Sequence, residues 1–109
     1  MDLLNKKCVP CEGGTKPMTE GESQKYLAEV LGWGIIEGGK KISKEFTFPD
    51  FMGAIKFINE VAHIAEQEGH HPDLHIFYNK VQIELWTHAI GGLSENDFIL
   101  AAKINNLRN

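Results

Sequence analysis

The hydrophobic positions of this chain change period several times, and each change marks an element. Between Gly21 and Gly34, Tyr26, Leu27, Val30 and Leu31 recur at helical spacing, which predicts a short amphipathic helix stopped at Gly32. Trp33, Ile35 and Ile36, then Glu37-Gly38-Gly39-Lys40, then Ile42, Phe46 and Phe48 predict two strands joined by a glycine turn. A longer apolar stripe follows, made of Phe51, Ala54, Ile55, Ile58, Val61, Ala62 and Ala65. It predicts a helix from Pro49 or Asp50 to Gln67 that stops at Gly69, with Phe57 and Ile64 widening one flank.

Beyond Pro72 the period falls to two. Leu74, Ile76 and Tyr78 alternate with His75 and Phe77, and Val81, Ile83 and Leu85 with Gln82, Glu84 and Trp86. This predicts a β-hairpin connected at Asn79-Lys80, with Tyr78 paired to Val81. Ser94-Glu95-Asn96-Asp97 is a capping pattern, and Phe98, Ile99, Ala101, Ala102, Ile104 and Leu107 form the buried stripe of a last helix. The order α-β-β-α-β-β-α joins strands through hairpins. It therefore predicts an α+β fold, a four-stranded antiparallel sheet with three helices on one face. Residues 1–22 are rich in Gly, Pro and charge and hold no period, so they read as an irregular arm ahead of a single domain over residues 23–109.

Composition narrows the class of function. A chain of 109 residues has room for one core, and 42% hydrophobic with 24% charged residues is ordinary for a globular domain. The net charge of -4 argues against a nucleic-acid partner, since the one basic cluster, Lys40, Lys41 and Lys44, is flanked by Glu37 and Glu45. No apolar run approaches the roughly 20 residues that span a bilayer, and no secretory leader is visible, so a soluble, cytoplasmic protein without membrane contact is expected. Cys8 and Cys11 form a single C-x-x-C. It lacks the helix start expected of a redox motif and the further ligands expected of a zinc site, so a structural or incidental role is expected.

Four of the five histidines fall between Glu66 and Asp97. His63 lies within the long helix and His75 within a strand, and both read as structural. His70, His71 and His88 sit at strand ends, and the hairpin register brings the region of Pro72 close to Thr87, so the three rings can share one site. Pro72 holds His71 extended, which lets the two neighbouring rings point different ways. The imidazoles suit acid/base catalysis near neutral pH. A metal site completed by Glu66 or Asp97 is the rival, although vicinal histidines chelate one ion poorly. Asp97 also fits the capping carboxylate of the last helix.

His70-His71-Pro72, Tyr78-Asn79-Lys80-Val81, and Thr87-His88 followed by Gly91-Gly92-Leu93-Ser94 and Asp97 resemble, in residues and spacing, the signature of the pterin-4a-carbinolamine dehydratases. The resemblance implies dehydration of a 4a-hydroxytetrahydropterin to the quinonoid dihydropterin, in tetrahydropterin recycling, without metal or organic cofactor. It implies a small-molecule pterin substrate and a homodimer or homotetramer. It also implies His70 and His88 as the proton-transfer pair and His71 as a group that orients the pterin. Pro72, Thr87, Ala89 and Ile90 would line the ring, and Glu66 or Asp97 would orient a histidine. The alternative is a non-catalytic oligomeric binding or regulatory protein on the same fold.

Overall fold

The computed structural model describes residues 1–10 and 13–108, so Cys11 lies outside the described residues. In chain order the elements are α1 (Glu20–Leu27), β1 (Gly34–Ile36), β2 (Lys41–Thr47), α2 (Phe51–Glu68), β3 (Asp73–Phe77), β4 (Lys80–Leu85) and α3 (Glu95–Asn106). The four strands form one antiparallel sheet in the order β1-β2-β4-β3, as the element order implied.

Alternation divides the sheet into two faces. Ile42 pairs with Leu85, and Phe46 with Val81; all four are buried, as is Ile83 between them. The intervening Ser43, Glu45, Gln82 and Glu84 turn to the other face. The helices cover the apolar side, where Phe46 meets Phe57 of α2 at 4.8 Å between ring centres and Tyr26 of α1 meets Phe98 of α3 at 5.2 Å. Among the described residues no helix is long and apolar enough to cross a membrane.

Three local readings change. First, α1 ends at Leu27 rather than near Gly32. Its capping box, Thr19 with Glu22, starts the helix at Glu20, inside the stretch read as arm. The chain then tightens through Glu29 N–H to Tyr26 O and Val30 N–H to Leu27 O, which buries Val30 and leaves Leu31 80% exposed. The Leu31 carbonyl is instead used by Lys44 Nζ at 2.9 Å.

Second, the buried line of α2 is Ala54, Phe57, Val61 and Ala65, while Phe51 and Ala62 are exposed. Phe57 is the centre of the stripe rather than its flank, because it also packs on Phe48 at 5.0 Å. Third, the hairpin pairs Ile76 with Val81 and Phe77 with Lys80, so Tyr78-Asn79 forms the turn. Asn79 fixes it from outside: its Nδ2 donates to Phe48 O at 2.8 Å and its carbonyl accepts the Phe48 N–H at 2.9 Å. The shift from the expected register is two residues, which preserves the face of every side chain.

Candidate functional site

The end of α2 delivers the first histidine. Gly69 adopts φ 65, a left-handed conformation that costs glycine no Cβ clash, and the His70 N–H returns to Ala65 O at 3.2 Å. The chain reverses at once, and His70 Nε2 comes to rest 2.6 Å from Asp97 Oδ1 on the first turn of α3. The two side chains are 11% and 0% exposed. Asp97 Oδ2 accepts from Thr87 Oγ1 at 2.9 Å and from the Ser94 N–H at 3.0 Å. The Thr87 hydroxyl has spent its one hydrogen there, so the 2.8 Å contact between Thr87 Oγ1 and Ser94 Oγ is a bond that Ser94 donates. Asp97 thus caps its helix with one oxygen and holds a histidine with the other. A carboxylate oxygen opposite Nε2 requires Nε2 to carry the hydrogen, leaving Nδ1 as the ring's acceptor.

His88 is positioned differently. An isolated bridge between Thr87 and Gly92 closes the turn His88–Ile90. A Cβ on Gly92 would lie 2.7 Å from Pro17 Cβ, so the arm's close approach demands glycine there. The His88 ring stacks on Trp86 at 3.8 Å between centres, with 35° between planes. Trp86 Nε1 donates to Asp73 Oδ2 at 3.1 Å, which anchors the stack to the start of β3. His71 points away from His70, to Glu66 Oε1 at 2.7 Å, in an exposed pair.

A cleft of about 360 Å³ is lined by His70, His71 and His88 together with Pro72, Thr87 and Ala89. Asp97 is buried outside this lining, while Glu66 and the half-buried Ile90 also fall outside it. Sequence reasoning missed Trp86, Asp73, Asn96, Val9 and Pro10, which line it too. Trp86 ends the polar alternation of β4 and Asp73 follows the His-His-Pro corner, so both carried a positional signal; the arm, lacking a period, carried none. His75 instead stands on the open face of the sheet, 3.5 Å from Glu84 Oε2, and His63 is exposed on α2. Among the described residues no group of three His, Cys, Asp or Glu side chains could hold a metal ion.

Behind the cleft the arm is fastened at Cys8, whose N–H donates to Glu68 Oε1 at 2.8 Å and whose thiol reaches Asn96 O at 3.6 Å. Burial, then the neighbouring Glu68 charge, pushes the thiol up to about 12, so it stays protonated near neutrality and is a poor nucleophile.

The profile described as Pterin 4 alpha carbinolamine dehydratase matches residues 16–107. The chain belongs to this family. A Rickettsia bellii protein, provisionally named a pterin-4-alpha-carbinolamine dehydratase, is 50% identical over 107 residues, covering 98% of this chain and 95% of its own. The Arabidopsis thaliana pterin-4-alpha-carbinolamine dehydratase 2, mitochondrial, is 50% identical over 111 residues, covering 98% of this chain and 59% of that protein. The crystal structure of a transcriptional coactivator/pterin dehydratase from Brucella melitensis superposes with a TM-score of 0.81 at 34% identity, over 86% of this chain and 100% of that one. The span matched to the pterin-4-alpha-carbinolamine dehydratase family contains all three cleft histidines and Asp97, and leaves out Val9 and Pro10.

Proposed function

We propose that this protein dehydrates a 4a-hydroxytetrahydropterin to the quinonoid dihydropterin by histidine acid/base catalysis, the step that recycles the tetrahydropterin. One observation carries the reading: His70 and His88 line the same cleft, one ring locked by a buried carboxylate and the other by an indole stack. The cleft volume lies within the roughly 300 to 1,000 Å³ usual for small-molecule sites.

Hydroxide leaves carbon poorly, so the departing oxygen needs a proton while a ring nitrogen of the pterin loses one and the new double bond forms. With Nε2–H committed to Asp97, His70 offers Nδ1 as the base, and Asp97 stabilises the imidazolium that results. His88 then serves as the acid that releases water, and His71 orients the pterin. The products are the quinonoid dihydropterin and one water, so protons balance once the two rings exchange theirs through solvent.

His70→Ala and His88→Ala are each expected to lower dehydratase turnover at least about tenfold, and up to the roughly 10² to 10⁴ that such catalysis supplies, with native circular dichroism retained. Near-normal turnover in both variants overturns the reading. The alternative of a non-catalytic regulator gains no support from a cleft built around proton-transfer groups. A homodimer or homotetramer belongs to the same proposal: β3 is an edge strand with Ile76 and Phe77 exposed, and Met52 on α2 is 69% exposed. A cytoplasmic location completes it.

A further inference from the structure

The acid/base reading leaves one wall of the cleft without a role. Val9 and Pro10 line the cleft beside the histidines, although they precede the span matched to the family. Val9 is held to the domain by Asn96, the neighbour of Asp97 on the first turn of α3. Asn96 Oδ1 accepts the Val9 N–H at 3.0 Å, and its Nδ2 donates to the Val9 carbonyl. A primary amide that takes both main-chain groups of one residue acts as a neighbouring strand would, fixing the course of the backbone whatever side chain it carries. Asn96 is itself 5% exposed, and Cys8 is fastened behind it to Glu68.

The result is a backbone tied to buried groups with its apolar side chains left uncovered, Val9 being 64% exposed. Ordering such a segment costs conformational entropy, and covering Val9 and Pro10 with the carbon surface of a ligand in the cleft would offset it. These residues offer C–H surface and no side-chain hydrogen-bonding group. They suit the face or carbon substituent of a pterin, away from the atoms that exchange protons.

We propose that Val9 and Pro10 form a binding wall for the non-reacting part of the substrate, with Asn96 as the positioning residue that holds the wall in place. The proposal rests on the dehydratase reading. A wall that holds the non-reacting part equally in bound substrate and transition state moves KM and leaves kcat.

The test measures turnover, and equilibrium binding of an oxidised pterin that carries no 4a hydroxyl, for wild type, Asn96→Ala, Val9→Gly and the control Lys6→Ala. Lys6 fastens the outer arm to Glu95 at 3.0 Å and lies outside the cleft lining. Asn96→Ala and Val9→Gly are expected to raise KM and the pterin Kd about fivefold or more with kcat within about twofold, while Lys6→Ala leaves both unchanged. Val9 is exposed, so Val9→Gly keeps the test valid if Asn96→Ala folds poorly. Unchanged pterin affinity in both variants overturns the wall and leaves the dehydratase reading standing. A fall in kcat at constant KM in Asn96→Ala also overturns it, since Asn96 would then act through Asp97. Wild type that binds pterin without turning it over sinks the dehydratase reading alone, with the wall judged by the ratio of Kd values. No pterin binding by wild type overturns both.

Discussion

Two consecutive histidines each meet a carboxylate, and the two pairs are nearly identical in length. His70 lies 2.6 Å from Asp97, and His71 lies 2.7 Å from Glu66. Their surroundings differ. Side chains in the first pair are 11% and 0% exposed, against 63% and 80% in the second. In water-rich surroundings both partners of the second pair can dissolve separately at little cost, and salt screens what attraction remains. Asp97 has no such alternative, because Thr87 and Ser94 hold its other oxygen and the protein surrounds it. The lesson is that distance alone ranks neither pair; the worth of each is set by what the carboxylate would lose if its histidine left.

Asp97→Ala should separate the pairs most sharply. It strands His70, the Thr87 hydroxyl and the Ser94 N–H, and each buried polar group left without its partner costs about 1 to 3 kcal/mol. Turnover should fall about 100-fold or more as His70 loses its orientation. Denaturant unfolding and a dehydratase assay on the same sample check this, and a stability loss below about 1 kcal/mol would break the comparison.

Glu95 supplies an intermediate case, with its side chain 38% exposed. The Tyr26 hydroxyl at 2.8 Å, then Lys6, holds its carboxyl below the ordinary carboxylate value. A carboxyl depressed in the fold contributes stability that is complete above its unfolded value and is lost as pH falls through the folded one. Glu95→Gln should therefore flatten part of the acid limb of stability against pH, without moving the neutral plateau by as much as Asp97→Ala does. An unchanged acid limb would place Glu95 with the exposed pair.

The smallest effect is expected for Glu66→Gln. Stability should change by less than about 1 kcal/mol and turnover by less than about threefold, with the difference shrinking further in 0.5 M salt. A tenfold loss of turnover would show that the exposed pair orients substrate as firmly as the buried one.

Much of this was legible in the residues. The period changes marked seven elements, Ser94 with Asp97 marked the start of α3, and the strand ends brought His70, His71 and His88 to one cleft. What escaped was decided by contacts distant in sequence. The hairpin register depends on Asn79 bonding to Phe48, and the centre of the α2 stripe depends on Phe48 and Phe46 meeting Phe57. Beyond the early end of α1, the Leu31 carbonyl accepts from Lys44 and Asn105, partners 13 and 74 residues away. The arm was the largest omission: its place comes from Glu68, Glu95 and Asn96, and an irregular segment announces neither its own course nor its partners.

The first turn of α3 has a further consequence for how the protein is made. Glu95, Asn96 and Asp97 fasten Lys6, Val9 and His70, and the first two links join residues 89 and 87 positions apart. Closing such distant contacts is slow and comes after local structure. A nascent chain paused after β4 would carry His70 and His71, yet hold neither the arm nor the buried carboxylate in place. The cleft therefore takes shape only once α3 has been made and has docked against the arm and His70.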